Sequence, residues 1–136
     1  MYPEELVKPM REDLTNFGFE ELKTAADVNS LLEKKGTALI VLNSVCGCAA
    51  RNARPAAKLS VQNESRPDHI TTIFAGVDIE AVNTAREHML PFPPSSPCIA
   101  LFKDGELVHM LERQHIEGRS SEMIAENLIE SFNTHC

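Results

Sequence analysis

The sequence predicts an α/β fold in which a central mixed β-sheet is flanked by helices. The uninterrupted apolar run at 38–42 lacks polar alternation, as in a strand that is covered on both faces. A strand, helix, strand pattern follows that run, and Asp104-Gly105 between two apolar segments indicates an antiparallel hairpin. The chain has 136 residues, of which 43% are hydrophobic. This length and composition predict a single domain over residues 1–136 with a sizeable core.

The remaining elements follow from the period of the apolar residues and from residues that start or stop helices. Because Pro9 lacks a backbone N–H, it should break the N-terminal helix. Thr24 and Asp27 form a loose capping box, and Asp78 should cap a later helix. In the first half of the chain we expect a broken helix ending at Gly18, a short strand at 19–22, a helix ending at Gly36, the central strand, and, after the cysteines, a helix bent by Pro55. In the second half we expect a strand at 71–77, a helix at 78–89, a proline-rich loop, a hairpin at 98–111 and a closing helix at 123–132. From the short strand onward this is the element order of a thioredoxin-like fold, with an extra N-terminal helix in front.

Composition and charge exclude several classes of function. Thirteen Lys and Arg against twenty Asp and Glu give a net charge of −7, which argues against binding to nucleic acid or to an anionic membrane surface. No apolar run reaches the roughly 20 residues that a membrane-spanning helix needs, and the first residues are acidic rather than signal-like. We therefore expect a cytoplasmic protein whose partners are proteins or small molecules.

The Cys46-Gly47-Cys48 motif lies where the central strand should turn into a helix. A thiol in the first turn of a helix faces unpaired backbone N–H groups and the positive end of the helix dipole, which favour the thiolate. Cys46 should therefore attack a disulfide, and Cys48 should release the trapped partner. Gly47 should give the backbone the freedom that a small, easily reduced disulfide ring needs. The motif predicts a redox-active centre.

Two alternatives to redox chemistry are open for these cysteines. They could be small buried residues of the core. Cys46, Cys48 and Cys98, together with a histidine, could instead hold zinc or an iron–sulfur cluster. Bound metal or colour in the purified protein would identify that second case. Cys136 ends the chain and should be a free thiol without a role.

The proline-rich loop before Cys98 holds the second informative residue, Pro97. The segment from Pro91 to Pro97 contains four prolines, which indicates a rigid, shaped loop. Pro97 could be an ordinary turn residue, or its peptide bond with Ser96 could be cis. We favour the cis bond, which would hold the backbone of Ser96 beside the active thiol.

Three segments resemble the bacilliredoxins, thioredoxin-fold proteins with a Cys-Gly-Cys centre: residues 43–55, 93–97 and 101–108. The resemblance implies that the protein removes bacillithiol, or a related low-molecular-weight thiol, from mixed disulfides on client proteins, with disulfide isomerase activity from the same chemistry. It implies no tightly bound cofactor, because bacillithiol acts as a co-substrate. By this resemblance Cys46 attacks, Cys48 is its partner and Pro97 is the cis-proline, so that Gly47, Ser96 and Pro97 bind substrate.

The chain departs from the family pattern at two positions. Arg51 stands where a small residue is expected, and Cys98 stands where Ser is expected. Arg51 could favour the thiolate or bind an anionic thiol, or it could be a solvated helix residue. Cys98 is expected to be a buried strand cysteine rather than a third participating thiol. His115 and Glu117 should lie in a loop near the cysteines, and we assign them no role.

Overall fold

The computed structural model describes residues 2–136 and contains a five-stranded sheet in the order β1-β3-β2-β4-β5. The elements are α1 (Glu4–Thr15), β1 (Glu20–Glu21), α2 (Ala25–Glu33), β2 (Thr37–Asn43), a π-helical turn (Ala49–Ala53), α3 (Arg54–Ser60), β3 (His69–Phe74), α4 (Ile79–His88), β4 (Cys98–Lys103), β5 (Glu106–Leu111), α5 (Arg113–Ile116) and α6 (Ser121–His135). β1, β3 and β2 run parallel, whereas β4 is antiparallel to both β2 and β5. The predicted mixed sheet with flanking helices and an extra N-terminal helix is confirmed.

β2 lies at the centre of the sheet and is buried along its whole length. Leu39 and Val41 pack on the side covered by α3 and α6, which we call the α3/α6 face. Ile40 and Leu42 pack on the opposite side against α2 and α4, which we call the α2/α4 face. Because both faces are covered, β2 carries an unbroken apolar run rather than an alternating one.

The N-terminal helix is continuous, and the predicted break at Pro9 is wrong. Val7 and Leu14 are fully buried, and the Arg11 guanidinium pairs with Glu21 at 2.6 Å and with Asp78 at 2.8 Å. These contacts lie on both sides of Pro9, so tertiary packing outweighs the one hydrogen bond that proline removes.

The two predicted helix caps have different outcomes. The Thr24 side chain accepts a hydrogen bond from the Asp27 N–H, and the capping box is complete. Asp78 precedes α4, but its side chain makes no cap. Its carboxylate instead accepts hydrogen bonds from Arg11 and from the Phe74 N–H, since a buried guanidinium is the stronger partner.

The hairpin and the segment after it position the last elements. Asp104 and Gly105 adopt φ values of 51° and 82°, as the two-residue turn of the predicted hairpin requires. The following segment, expected to be a loop, contains the short helix α5. No helix within residues 2–136 has the length and apolar character needed to cross a bilayer.

Candidate active site

The cysteine motif occupies the turn between β2 and the helical segment, as predicted. The Cys46 carbonyl accepts hydrogen bonds from the N–H groups of Ala49 at 2.9 Å and Ala50 at 3.3 Å, so Cys46 lies at the start of the first turn. The Cys46 side chain is half-buried, whereas Cys48 is buried, and both are free thiols. The more accessible cysteine is therefore the first of the pair.

The two thiols have opposite pKa shifts. The pKa of Cys46 lies below its usual value because the Cys48 thiol donates a hydrogen bond to its sulfur, and because the Cys48 N–H, the Arg113 charge and the Ala49 N–H also favour the thiolate; together these outweigh burial. The pKa of Cys48 is raised by burial and by the nearby Cys46 sulfur. This arrangement favours Cys46 as a thiolate and Cys48 as its protonated neighbour.

Arg113 contacts Cys46 directly and was not found by sequence reasoning. Its Nη2 donates to the Cys46 Sγ at 3.2 Å, and its Nη1 donates to the Ser96 carbonyl at 3.4 Å. Its Nε donates to Glu117 Oε2 at 2.8 Å, which fixes the guanidinium over the sulfur. Glu117, to which we assigned no role, therefore orients Arg113. The Arg113/Glu117 spacing of four residues is the signal that could have indicated this pair.

Gly47 leaves space next to Arg51. Its φ is not positive while both cysteines are free thiols, and the backbone freedom predicted for the disulfide ring stays a prediction. A Cβ at this position would lie 3.0 Å from the Arg51 Nη2. Arg51 is exposed and lines a cleft of about 410 Å³ with Asn52, Arg113 and Glu117, which we call the Arg51 cleft.

A largely buried hydrogen-bond network fixes the backbone of the turn that carries Cys46. The Ser44 Oγ accepts a hydrogen bond from the Cys46 N–H at 3.0 Å. Arg54 Nη1 donates to the Asn43 Oδ1 at 3.0 Å and to the Ser44 carbonyl at 3.3 Å. Arg54 Nε in turn donates to Asp13 of α1 at 2.9 Å. The extra N-terminal helix is thus linked to the backbone that carries Cys46.

The proline-rich loop lies next to Cys46. The Ser96–Pro97 peptide bond is cis, and so is the bond between Leu90 and Pro91. Ser96 and Cys46 line the same cleft of about 380 Å³. The structure therefore brings the backbone of Ser96 beside the cysteine motif.

The remaining cysteines do not join this group. Cys98 is buried on the α2/α4 face, whereas Ala49 and Ala53, which follow the motif, pack on the α3/α6 face. Burial raises the pKa of Cys98 to about 12. Within residues 2–136 no three His, Cys, Asp or Glu side chains are placed to hold a metal ion, so the ligand set of the metal alternative is not assembled. Cys136 is exposed at the end of α6.

Comparison with known proteins shows a family likeness over almost the whole chain. The model of the disulphide isomerase family matches residues 2–136. A bacilliredoxin of Cytophaga hutchinsonii is 59% identical over 128 residues, which cover 94% of this chain and 95% of the relative. A bacilliredoxin of Halalkalibacterium halodurans is 48% identical over 136 residues, which cover 99% of this chain and 94% of the relative.

Solved structures show the fold at much lower identity. The thioredoxin of Fasciola hepatica is 17% identical with a TM-score of 0.57, covering 87% of this chain and 100% of that protein. Trxlp of Edwardsiella tarda is 14% identical with a TM-score of 0.58, covering 79% of this chain and 96% of that protein. The thioredoxin-like fold predicted from the element order is confirmed.

Proposed function

This chain belongs to the bacilliredoxin family and is a thiol–disulfide oxidoreductase, and from that premise we propose that it removes bacillithiol, or a related low-molecular-weight thiol, from mixed disulfides on client proteins. The observation that carries the proposal is the placement of the half-buried Cys46 sulfur, which accepts hydrogen bonds from the Cys48 N–H and from Arg113, beside the buried Cys48 thiol; the opposite pKa shifts of the two thiols agree with it. Cys46 is favoured as the thiolate that attacks, and Cys48 stays protonated until the second step. Disulfide isomerase activity is a second outcome of the same exchange chemistry.

In the proposed first step, the Cys46 thiolate attacks the sulfur of the small thiol in the mixed disulfide. A bond forms between the Cys46 Sγ and that sulfur, and the bond to the client sulfur breaks. The client sulfur leaves with the bonding electron pair and takes a proton from solvent. The client is then reduced, and the small thiol is attached to Cys46.

In the proposed second step, Cys48 releases the small thiol. Once the Cys46 sulfur is in a disulfide, it no longer carries the charge that helps to raise the pKa of Cys48. Cys48 then loses its proton more readily and attacks the Cys46 Sγ, and the small thiol leaves as a thiolate. The product is a Cys46–Cys48 disulfide, which two further low-molecular-weight thiols, joined to each other as a disulfide in the process, or one dithiol reductant return to two thiols.

We assign substrate binding to Gly47, Ser96 and Pro97. The missing side chain of Gly47 leaves the approach to Cys46 open, and Pro97 fixes the loop that presents Ser96. The Ser96 backbone lies in the same cleft as Cys46 and can pair with amide groups next to the reacting disulfide. We place this reaction in the cytoplasm, where reducing thiols are supplied, with no nucleic-acid or membrane partner.

A trapping experiment tests this proposal. A test protein carrying one bacillithiol mixed disulfide is incubated with the Cys46→Ser and Cys48→Ser variants, and intact masses are measured. Cys48→Ser should accumulate an adduct with the mass of bacillithiol, because capture needs only Cys46. Cys46→Ser should accumulate none. Capture by Cys46→Ser alone would exchange the two roles, and an adduct with the client instead would contradict the proposed direction of attack.

A further inference from the structure

The cleft that Cys46 shares with Ser96 also contains an arginine, Arg86, to which the exchange steps give no role. It measures about 380 Å³, within the range of roughly 300–1,000 Å³ that small-molecule sites occupy. Arg86 and Arg113 line it together with Cys46, Ser96 and Tyr2, and we call it the Arg86 cleft. Arg113 is common to both clefts, so Cys46 lies where they meet.

The Arg86 side chain lacks the side-chain partners that Arg54 and Arg113, the two arginines bonded to the cysteine turn, possess. Its Nε is buried without a hydrogen-bond partner. Among the arginines of residues 2–136, Arg11, Arg54 and Arg113 form ion pairs, whereas Arg86 forms none. A half-buried guanidinium without a carboxylate is unfavourable unless a ligand supplies one.

The two clefts differ in the charge that they offer. The Arg51 cleft contains Glu117, whose carboxylate already pairs with Arg113. Each cleft is lined by two arginines, with Arg113 common to both. Among the described residues, however, the Arg86 cleft has no acidic residue in its lining and its Arg86 guanidinium is unpaired, although the whole chain carries a net charge of −7. An anionic group would therefore be favoured in the Arg86 cleft over the Arg51 cleft.

Tyr2 closes the outer side of the Arg86 cleft. Its ring lies over Gly76, where an added Cβ would be 2.9 Å from the Tyr2 Cε2. Tyr2 as a whole residue remains 42% exposed although its ring packs there, so it can contact a ligand in the cleft. The cleft thus combines cations, an aromatic wall and the Ser96 backbone around one reactive sulfur.

We propose that the Arg86 cleft binds a carboxylate of the low-molecular-weight thiol while Cys46 attacks the sulfur of that thiol. This inference rests on the proposed function and adds the source of selectivity between small thiols. Arg86 would hold the carboxylate through charged hydrogen bonds, and Ser96 would pair with the neighbouring amide. A thiol with a carboxylate should then be captured faster than a neutral thiol of similar size.

The test compares mixed disulfides of one neutral peptide with 3-mercaptopropionate, which is anionic, and with 2-mercaptoethanol, which is neutral. Capture rates are measured by quenched mass spectrometry on the full chain with Cys48→Ser, alone and combined with Arg86→Met or Arg51→Met. Without the arginine changes, the ratio of anionic to neutral rates should be about ten, as expected for one charged hydrogen bond. Arg86→Met should bring this ratio close to one, whereas Arg51→Met should preserve it.

Several results would overturn the inference. The ratio could be one before any arginine is changed, it could persist in Arg86→Met, or it could be lost in Arg51→Met instead. A third substrate places an acidic residue beside the peptide cysteine and carries 2-mercaptoethanol. If the effect of Arg86→Met followed that acidic residue, the cleft would bind the client rather than the small thiol. Capture of neither thiol before any arginine change would refute the proposed function itself, which distinguishes the two failures.

Discussion

Cys46 and Cys98 lie at the same end of the sheet, yet their sulfurs are in opposite chemical states. Cys98 begins β4 and pairs with Leu42, one residue before the end of β2, while Cys46 follows that end within three residues. The Cys46 Sγ receives hydrogen bonds from the Cys48 N–H and from Arg113. Cys98 is 1% exposed, and burial outweighs the nearby charge of Arg86 in setting its pKa. Reactivity in this fold therefore depends on donors and exposure rather than on proximity to the site.

The alternation of β4 explains why Cys98 is separated from the motif. Successive side chains of a strand point to opposite faces, so Cys98 and Ala100 pack on the α2/α4 face while Ile99 packs on the α3/α6 face. The cysteine motif instead lies beyond the end of its strand. A position outside the sheet gives Cys46 access to solvent and to α5.

The largest expected difference between the two cysteines is in exchange activity. Cys46→Ala should reduce exchange with a mixed disulfide to the uncatalysed background, because no other thiol in the site is favoured as a thiolate. Cys98→Ala should retain the original rate. The measurement is the initial rate of client reduction, with circular dichroism as the check on folding.

In the native protein, Cys46 and Cys98 should also differ widely in their rates of alkylation. Burial raises the pKa of Cys98 far above neutral pH, so that its thiol stays protonated, and the same burial keeps the reagent away from the sulfur. Cys46 should react with iodoacetamide first, as read by peptide mass spectrometry. Cys98 should react only after denaturant is added. Equal labelling of both cysteines in the native state would contradict the comparison.

Arg113→Met should reduce the difference in reactivity between Cys46 and Cys98 without removing it. Loss of the positive charge beside the sulfur should raise the pKa of Cys46, so that the rise of capture rate with pH moves to higher pH. Because Arg113 is exposed and screened by solvent, we expect a loss of several-fold near neutral pH rather than abolition.

Two other variants control for this effect. Arg113→Lys retains the charge and should recover part of the rate, and Arg51→Met should leave the pH profile in place. A profile that is unchanged in Arg113→Met would mean that the backbone donors and Cys48 set the Cys46 pKa without Arg113.

The sequence predicted the cysteine side of the site better than the arginine side. The position of Cys46 follows from local signals, namely an apolar strand and then a turn that opens a helix. Arg113 reaches the Cys46 sulfur across 67 residues of chain from a helix of four residues, and no local pattern reports such a contact. Arg51 was the local candidate, but it lies over Gly47 rather than on the sulfur.

Long-range ion pairs also explain the errors in the fold prediction. The continuity of α1 through Pro9 and the missing cap of Asp78 share one cause, the buried Arg11 guanidinium. Propensity rules treat each helix by itself, whereas Arg11 links α1 to β1 and to the start of α4. The strands were easier to predict because a strand that is buried on both faces carries a continuous apolar run in the sequence.

The smallest expected effect is on stability. Cys98→Ala removes a buried sulfur from the packed α2/α4 face and should lower the free energy of unfolding by about 1 kcal/mol. Urea denaturation followed by circular dichroism measures this, and Cys136→Ala, at an exposed cysteine, should show no comparable change. Because Cys98 is held protonated and faces away from the motif, the loss of stability should come without a loss of exchange activity. A Cys98→Ala protein that kept its stability but exchanged more slowly would make Cys98 a participant in the reaction, and the contrast between the two cysteines would fail.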